Sequence, residues 1–380
     1  MTSTLTPTLH RSRELLLPAM RSAVAQLDPA SHAAASYHLG WTDAVGAPSV
    51  GGGKALRPAL ALLSAELAGA SAETAIPGAV AVELVHNFSL LHDDVMDGDT
   101  QRRHRATVWS LWGEPCAILT GDALLVLAQQ VLLDSGSRHA PAAARLLLLA
   151  ATQELVRGQV EDLAFETRSS VSVKECVRMA AGKTAALLSA STSIGAVLAG
   201  APHQVVSALS AYGQHLGAAF QLVDDLLGIW GDPAVTGKPV LSDLRSKKKT
   251  LPVSWVLAAD DASAHELAAW YTDSTVDEVG LHRAAELVEA GGGRGWATAE
   301  AARRMRQAEL CLDTVELPPG PRAELLALGR ASCPPPWTTS SPNPCPATRR
   351  CGPCGWSTAW TGSAAPCWSS CTTRSETASR

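Results

Sequence analysis

The chain predicts an all-α protein, and three observations lead to this fold class. Hydrophobic residues make up 46% of the 380 residues but aromatic residues only 4%, and Ala and Leu dominate the apolar set. Ala and Leu favour helices, whereas a sheet protein would be richer in Val, Ile and aromatic residues. Apolar residues recur with the helical period in one stretch after another, without strand–helix alternation or a glycine-rich nucleotide loop. We therefore expect one large helical domain over residues 1–331.

Periodicity and boundary residues place the helices in order along the chain. The clearest helical stretches are 55–67, 76–94, 122–133, 142–157, 172–198, 205–229 and 251–257. Pro58 stands near the start of the first stretch, where a proline is tolerated because its missing N–H would be unpaired anyway. Gly121-Asp122 before an apolar run is an ordinary helix-start signal. Short polar turns separate the stretches, which predicts helices packed on helices.

The C-terminal segment differs in kind from the rest. Residues 331–380 contain no Leu, Ile, Val, Phe or Met but eight prolines, so they cannot bury enough apolar surface to fold. Cys351 and Cys354 resemble half of a metal or redox site, but an unstructured segment has no scaffold to orient ligands. We expect residues 332–380 to form a disordered tail.

Charge and hydropathy limit the partners of the protein. The formal net charge is -5 and the isoelectric point is near 6.1, which gives no reason to expect a nucleic-acid partner. The N-terminus lacks the basic-then-apolar pattern of a signal peptide. The strongest apolar run, 146–151, is far too short to cross a bilayer. We expect no membrane span and a cytoplasmic location.

Two aspartate clusters carry the strongest functional signal. The first contains Asp93, Asp94 and Asp97, and the second, about 130 residues later, contains Asp224 and Asp225. On a helix, Asp93 and Asp97 lie one turn apart on the same face. Carboxylates in an apolar helix are costly to bury unless a cation neutralises them, and carboxylate-only ligands suit Mg²⁺ shared with substrate phosphates. Two such clusters facing each other predict a diphosphate site.

Spacing adds His86 to the first cluster. His86, Leu90, Asp93 and Asp97 stand at offsets 0, 4, 7 and 11, on one helical stripe. A lone histidine on an apolar helix is more often a core residue, but a stripe shared with two carboxylates favours a functional role. Arg102, just beyond the cluster, is placed to give a diphosphate bidentate contacts.

The order of short motifs resembles that of the trans-isoprenyl diphosphate synthase family. The motifs are Gly53-Lys54-Ala55-Leu56-Arg57-Pro58, Asp93-Asp94-Val95-Met96-Asp97, Arg102-Arg103, Asp224-Asp225 and Gly237-Lys238-Pro239. The resemblance covers residues 10–330 and implies a single large helical bundle of the isoprenoid synthase type with a central active-site cavity. It also implies Mg²⁺ as cofactor, three ions with diphosphate bound, and a homodimer.

The resemblance assigns a role to each polar residue of these motifs. The metal ligands are Asp93, Asp94, Asp97, Asp224 and Asp225. Arg102 binds the allylic diphosphate, and the isopentenyl diphosphate ligands are Lys54, Arg57, His86 and Arg103. The residues that line the carbocation are Lys183, Thr184, Gln221 and Lys238, and the further diphosphate contact is Lys248, with Lys249 less favoured. From spacing alone, a buried Lys183 is equally consistent with a plain ion pair.

One position departs from the family pattern. Gly228 stands where the family usually has the third aspartate of its second motif. Gly228 lies on the same helical stripe as Gln221 and Asp224, so the missing carboxylate would have faced the site. Asp224 remains for a metal and Asp232 lies one turn further on. We expect weaker metal binding at this motif, not its loss.

The implied function is short-chain prenyl transfer, in which isopentenyl diphosphate is joined to dimethylallyl, geranyl or farnesyl diphosphate. Phe88, five residues before Asp93, and the small Ser89 after it resemble the chain-length floor of geranylgeranyl-type enzymes. This predicts a C20 product, with farnesyl diphosphate (C15) next.

Two other functions remain open at this point. A class I terpene cyclase shares the aspartate motif, but it has no second diphosphate to bind and no need for the Lys54, Arg57 and Arg103 set. A catalytically silent partner subunit would usually have lost an aspartate cluster, whereas the first cluster is intact here.

Overall fold

The computed structural model describes residues 5–49, 53, 55–134, 141–168, 170–233, 239–273 and 275–333. The chain divides into two units, Met1–Ser341 and Pro342–Arg380, and all of the described residues lie in the first. Nearly all regular structure in the described ranges is helical, apart from one short hairpin and an isolated bridge between Thr42 and Pro48. The predicted all-α fold class is confirmed.

The helices follow one another with mostly short connections. The N-terminal half contains α1 (Leu5–Val24), α2 (Pro29–His38), α3 (Leu56–Leu67), a 3₁₀ turn (Ala72–Ala75), α4 (Ile76–Met96), α5 (Val108–Trp112), α6 (Glu114–Leu133) and α7 (Pro141–Thr167). The C-terminal half contains α8 (Val173–Ala180), a π-helical turn (Ala181–Ala185), α9 (Ala186–Leu198), α10 (His203–Trp230), α11 (Ser242–Arg245), α12 (Leu251–Leu257), α13 (Ala262–Thr272), α14 (Glu278–Ala290), α15 (Gly293–Leu312) and α16 (Pro319–Ser332). The hairpin pairs β1 (Gln101–Arg102) with β2 (Arg105–Ala106) in antiparallel fashion.

Periodicity located the helices better than it located their ends. The predicted helix over 251–257 coincides with α12. In contrast, α6 begins at Glu114, not at Asp122, because Pro115 in its first turn needs no hydrogen-bond acceptor. The helix predicted over 142–157 continues to Thr167. The hairpin was not predicted, since its strands are too short to show a period.

One almost fully buried helix fixes the positions of the two aspartate clusters. α9 packs against α3, α4, α7 and α10, and most of its side chains are inaccessible to solvent. α4 lies in an apolar cluster with α1, α2 and α6, represented by Leu84 and Leu124. α10 lies in a second cluster with α3, α15 and α16, represented by Tyr212. A third cluster, around Val253, joins the end of α10 to α11–α14. The helices that carry the aspartates are thus held by packing along their length.

Two glycines allow α7 to lie directly against the π-helical turn. A Cβ at Gly158 would lie 2.2 Å from the backbone nitrogen of Lys183, and one at Gly182 would lie 2.6 Å from the carbonyl oxygen of Glu154. Neither position has room for a larger residue. The close approach brings Lys183 beside Asp162, which follows Gly158 by one turn on α7.

Two helices meet the length and hydropathy conditions for a membrane span, so the expectation that no apolar stretch is long enough is wrong. They are the segments Ala72–Met96, which includes α4, and Glu114–Leu133, which is α6. The most apolar windows of these helices are 61% and 39% buried inside the fold. Core helices of water-soluble proteins pass the same test, so this observation by itself assigns no span.

The last helix of the described ranges belongs to the core of the domain. α16 ends at Ser332, and Cys333 after it is buried, with its thiol 3.9 Å from the carbonyl oxygen of Leu216. The hydroxyl of Tyr212 donates a hydrogen bond of 3.1 Å to the carbonyl of Leu325. The remainder of the predicted tail, from residue 334 onward, lies outside the described residues.

Candidate active site

The first aspartate cluster occupies the last turn of α4. Asp93 and Asp97 lie one turn apart, and the N–H of Asp97 donates to the carbonyl of Asp93 over 2.8 Å. Burial raises the pKa of Asp93; the charge of Lys183 acts in the opposite direction, and the charge of Asp97 adds to the rise. A cation placed between these carboxylates would stabilise their ionised forms.

Asp94 faces away from this pair and fixes an arginine. Its side chain is almost completely buried, and one carboxylate oxygen accepts a hydrogen bond of 2.6 Å from Nε of Arg102. Burial raises the pKa of Asp94 to about 6, although the neighbouring Arg102 acts in the opposite direction. Neighbouring residues on a helix point about 100° apart, so Asp93 and Asp94 cannot face the same side. The structure gives Asp94 the role of orienting Arg102, and its role as a metal ligand stays a prediction.

Asp225, in the second cluster, resembles Asp94 in that its carboxylate is buried and holds a neighbouring side chain in place. It is buried, and its two oxygens accept hydrogen bonds from Nε2 of Gln221 (2.7 Å) and from the N–H of Leu251 (2.8 Å), the first residue of α12. Gln221 in turn accepts a hydrogen bond of 2.6 Å from the Thr184 hydroxyl. Burial raises the pKa of Asp225 well above its usual value. Asp224, on the neighbouring face of α10, is exposed.

A tight hairpin after α4 presents the arginine pair. Arg103 and His104 form its two-residue turn, with φ of 52° and 61°, the left-handed conformation that two-residue hairpin turns require. The guanidinium of Arg105 stacks on the ring of Tyr37 at 4.1 Å and donates to the Tyr37 carbonyl over 3.0 Å. These contacts hold the hairpin against α2. The Arg103 guanidinium consequently lies against Gly53, where a Cβ would be 3.0 Å from its Nη1.

Arg103 and Arg57 belong to a basic pocket beside α4. Burial lowers the pKa of Arg57 to about 10, and its Nε is buried without a hydrogen-bond partner among the described residues. Burial raises the pKa of Glu83, and the Arg57 charge opposes that rise. A small cavity of about 50 Å³ opens here, and its polar lining includes Arg13, Glu83, Asn87 and Arg103. An anion entering this cavity would meet Arg103 in its wall, with the buried Arg57 charge near Glu83 and Arg103.

Two histidines complete the basic pocket in their neutral form. Burial, together with the arginine charges nearby, lowers the pKa of His86 well below its usual value and that of His38 to about 3. His38 was not predicted as a site residue, because it lies on α2, far from any motif. Glu83 and Asn87 were not predicted either, although both lie within one turn of His86 on α4. The sequence signal that could have identified Glu83 and Asn87 is their helical spacing from His86, a residue already predicted to belong to the site.

Two lysines reach the acidic side of the site from other elements. Nζ of Lys183, on the π-helical turn, donates to Asp162 over 2.6 Å, and Nζ of Lys248 donates to Asp97 over 3.0 Å. Burial lowers the pKa of Lys183, but the charges of Asp162 and Asp93 outweigh this and raise it overall. Lys249 instead donates to the carbonyl of Phe165. The structure places Lys248, and not Lys249, against the first aspartate cluster, and the role of Lys248 as a diphosphate contact stays a prediction.

Two of the expected site residues, Lys54 and Lys238, lie outside the described residues. Within the described ranges, no three His, Cys, Asp or Glu side chains are grouped closely enough to hold a metal ion by themselves. A cavity running between the two aspartate clusters also stays a prediction.

The expected chain-length floor lies on the buried face of α4. Phe88 is 6% exposed, and its ring meets that of His92 edge-on, with centroids 4.9 Å apart. Nε2 of His92 donates to the carbonyl of Ile118 on α6 over 2.9 Å. Ser89 is also buried, and its hydroxyl donates to the carbonyl of His86.

The site therefore combines an acidic side, flanked by Arg102, Lys183 and Lys248, with a separate basic pocket built around Arg57 and Arg103. The acidic side suits a metal-bound anion, and the basic pocket suits a second anion without metal. An acidic side and a separate basic pocket on an all-helical fold suit an enzyme that handles two phosphorylated substrates.

Comparison with known proteins identifies the family. Residues 41–288 match the family model described as polyprenyl synthetase. A (2E,6E)-farnesyl diphosphate synthase of Mycobacterium tuberculosis is 54% identical over 330 residues, which cover 86% of this chain and 92% of that protein. A geranylgeranyl diphosphate synthase of the same organism is 43% identical over 330 residues, covering 86% and 90%. A polyprenyl synthetase structure from Streptomyces coelicolor has a TM-score of 0.82 at 50% identity, covering 86% and 99%.

The chain belongs to the polyprenyl synthetase family. The resemblance predicted from the motifs, the isoprenoid synthase fold and the prenyl transferase function are confirmed.

Proposed function

We propose that this prenyl transferase joins isopentenyl diphosphate to an allylic diphosphate between α4 and α10, with farnesyl diphosphate (C15) as its main product. One observation carries the placement of the site. The Lys248 ammonium, which follows α11 in the chain, lies 3.0 Å from Asp97 at the end of α4. The segment that follows the second aspartate cluster thus meets the first cluster directly. The allylic diphosphate binds on this acidic side, and isopentenyl diphosphate binds in the basic pocket.

The side chains of the protein act mainly by holding charged and polar groups close to the reacting atoms. Cleavage of the allylic C–O bond leaves negative charge on the departing diphosphate, and the cations of Arg102, Lys183 and Lys248 stabilise it. Thr184 and Gln221 stabilise the allylic cation through their oxygen atoms. The isopentenyl double bond then attacks this cation, a new C–C bond forms, and a proton is lost to the released diphosphate.

The donor set fits Mg²⁺. Asp93, Asp97 and Asp224 offer only carboxylate oxygens, the ligands that Mg²⁺ prefers. Because no three His, Cys, Asp or Glu side chains in the described ranges are grouped closely enough to hold an ion, the ions would share their coordination with substrate phosphates. When bound, Mg²⁺ supplies positive charge that offsets the charge of the leaving diphosphate. We propose three ions with diphosphate bound.

The motifs and the relatives favour products of different chain length. Phe88 and Ser89 resemble the floor of geranylgeranyl-type enzymes and favour C20. The 54% identical relatives are named farnesyl diphosphate synthases, whereas the geranylgeranyl diphosphate synthase of Mycobacterium tuberculosis is 43% identical. The relatives therefore favour the alternative product, and we propose C15 as the main product with C20 as the second.

The test is to supply the purified full chain with Mg²⁺, labelled isopentenyl diphosphate and each allylic starter, and to separate the products by chromatography. A C15 product extended from dimethylallyl and geranyl diphosphates is expected. A terpene cyclase would instead release a cyclic hydrocarbon without consuming isopentenyl diphosphate. A silent partner subunit would turn over neither substrate alone. Either result would overturn the proposal.

We propose that the chain works as a homodimer paired through α6 and α7. Leu119, Val126 and Leu133 recur every seven residues on α6 and are 64%, 67% and 55% exposed. A second exposed apolar stripe follows α7 and comprises Leu146, Leu149, Val156 and Val160. Apolar stripes of this spacing favour helix-on-helix packing between subunits.

Light scattering should give a dimer for the full chain and a monomer for the double variant Leu119→Glu/Val126→Glu. A monomeric parent would contradict the proposal.

We also propose a cytoplasmic location without a membrane span. Both substrates are water-soluble anions, and α4 carries Asp93 and Asp94 near its end, where charges in a hydrocarbon layer would be costly. Recovery of the intact chain in the soluble fraction of expressing cells, without detergent, is the expected outcome.

A further inference from the structure

The three consecutive lysines after α11 make contacts in three different places. Nζ of Lys248 lies 3.0 Å from Asp97 at the end of α4. The ammonium of Lys247 lies over the ring of Trp270, 5.0 Å from its centroid. Lys249 is buried, and its Nζ donates to a carbonyl near the end of α7 over 3.0 Å. Lys248 therefore meets the first aspartate cluster, while the lysines on either side of it are engaged elsewhere.

Lys247 ties the loop to the end of α13. Its ammonium donates to the carbonyl of Trp270 over 3.1 Å and also to the carbonyl of Asp273, the residue that follows α13. The backbone of Lys247 is left-handed, with φ of 51°, a conformation that costs free energy in a residue other than glycine. The contacts of its side chain with α13 stabilise the loop in this conformation, just before Lys248.

Tyr271 holds the main chain of Lys248 itself. The hydroxyl of Tyr271 donates a hydrogen bond of 3.0 Å to the carbonyl of Lys248. The N–H of Lys248 donates to the carbonyl of Asp243 over 2.8 Å. Burial raises the pKa of Tyr271 above its usual value, so the hydroxyl keeps the proton that it donates. Both backbone polar groups of Lys248 are thus fixed by neighbouring elements.

α13 is a firmly placed support for this loop. Leu267 is fully buried in the apolar cluster around Val253. The two carboxylate oxygens of Glu266 accept hydrogen bonds of 2.7 and 2.8 Å from Arg283 on α14. The side chain of Asp261 caps the helix by accepting from a backbone N–H of the first turn over 2.9 Å. Packing and hydrogen bonds therefore fix α13 independently of the lysines that it holds.

We propose that Tyr271 and Lys247 are positioning residues, which hold the backbone of Lys248 so that its ammonium reaches the allylic diphosphate beside Asp97. This inference rests on the proposed function, because it takes Lys248 to contact that diphosphate. A long side chain loses conformational entropy when it binds a ligand, and a backbone that is already fixed reduces the loss. In a purely structural alternative, Tyr271 and Lys247 stabilise the loop without any effect on the ligand.

A double-mutant cycle between Tyr271→Phe and Lys248→Ala separates these two roles. Lys248→Ala removes the ammonium but keeps the carbonyl that Tyr271 binds, so Tyr271→Phe breaks the same hydrogen bond in either background. One readout is the dissociation constant of geranyl diphosphate, measured on the full chain by equilibrium dialysis with Mg²⁺ and without isopentenyl diphosphate. The other readout is the melting temperature.

Tyr271→Phe is expected to weaken the binding of geranyl diphosphate about 3–10-fold in the parent, the range that one net hydrogen bond provides. It should have no further effect on binding in the Lys248→Ala background, whereas its effect on the melting temperature should be the same in both. Lys247→Met keeps the length of the side chain without the ammonium and should behave like Tyr271→Phe. Lys247→Arg retains the donor and should recover the parent affinity.

The matched control is Tyr212→Phe. The Tyr212 hydroxyl also donates to a backbone carbonyl, that of Leu325, but on the face of α10 that packs against α16. Its loss should lower the melting temperature and leave the affinity for geranyl diphosphate unchanged.

Two outcomes would overturn the proposal. One is equal weakening of binding by Tyr271→Phe in both backgrounds, since the effect would then not pass through Lys248. The other is a Tyr271→Phe variant that binds like the Tyr212→Phe control although Lys248→Ala binds more weakly. If Tyr271→Phe does not fold, Lys247→Met completes the same cycle. Lys248→Ala identifies a failure of the proposed function: if it binds geranyl diphosphate like the parent, the assignment of Lys248 to that substrate is itself wrong.

Discussion

The ring of Phe88 packs edge-on against the imidazole of His92, one turn further along α4, with 4.9 Å between ring centroids and 72° between ring planes. His92 is in turn fixed to α6 by its hydrogen bond to the carbonyl of Ile118. It also packs against Gly121, where a Cβ would lie 2.3 Å from Nε2 of His92. The proposed floor of the product pocket is thus supported from a second helix.

Phe88→Ala should lengthen the products by at least one isoprene unit, because removal of a buried ring opens the space that stops the growing chain. Ser89→Phe should shorten them by filling the adjoining space. Chromatography of the products from dimethylallyl diphosphate measures both effects. An unchanged length distribution for Phe88→Ala would mean that Phe88 is only core packing.

His92→Leu should also raise the share of longer products. The substitution removes the hydrogen bond to α6, so the Phe88 ring loses the group that holds its edge. His92→Gln retains a donor and should stay closer to the parent distribution. The same chromatographic assay compares the three proteins, and identical distributions would show that α6 does not influence the floor through His92.

Asp93→Ala and Asp97→Ala should each abolish turnover at saturating Mg²⁺ and leave the helical circular dichroism unchanged. Removal of Asp93 should raise the melting temperature of the metal-free protein, since burial and the Asp97 charge disfavour its ionised form. Asp97→Ala should gain less, because it leaves Lys248 without its partner. Asp260→Asn is the control for a change in net charge, and near-parental turnover by either alanine variant would refute the site.

The two buried histidines of the basic pocket should each lower the free energy of unfolding as pH falls from about 7 to 5. Asp94 acts in the opposite direction over this range, because burial raises its pKa to about 6 and the folded protein therefore takes up a proton there. The pKa of His38 lies near 3 in the folded protein and that of His86 is also lowered, mainly through burial. Below the ordinary histidine pKa, these two side chains are therefore protonated in the unfolded chain but remain neutral in the folded protein. The loss is at most about 1.4 kcal/mol per pH unit for each histidine.

Urea unfolding at several pH values measures this effect. His38→Gln and His86→Gln should each flatten the pH dependence, because glutamine takes up no proton in either state. His282→Gln, at an exposed position on α14, is the matched control and should leave the slope unchanged. Equal slopes in all four proteins would mean that other groups cause the pH dependence.

Ending the chain after Cys333 should leave the melting temperature and activity unchanged, because the residues beyond offer almost no aliphatic surface to bury. Ending it after Pro318 should be strongly destabilising, since α16 contributes the buried side chains of Leu325 and Leu328, each worth about 1.5–3 kcal/mol. Thermal unfolding compares the two truncations. Stoichiometric zinc in the full chain, or a large loss of stability in the chain that ends after Cys333, would indicate a structured tail.

The sequence alone was sufficient for the features that depend on local periodicity. The four-residue spacing of Asp93 and Asp97 places them on one face of a helix wherever that helix packs, and the motif order was enough to predict the family. The same periodicity could have separated Asp93 from Asp94, because neighbouring residues point in different directions. The ends of α6 and α7 were less predictable, since apolar spacing fades where a helix leaves the core.

Only the tertiary structure decided how distant segments meet. The pairing of Lys248 with Asp97 joins residues 151 positions apart, and the approach of Asp243 to Gly228 depends on how α11 docks against α10. Spacing along one helix carries no information about such contacts, because the packing of separate elements determines which side chains converge. The sequence therefore predicted a chemistry for the aspartates, and the fold determined which charges surround them.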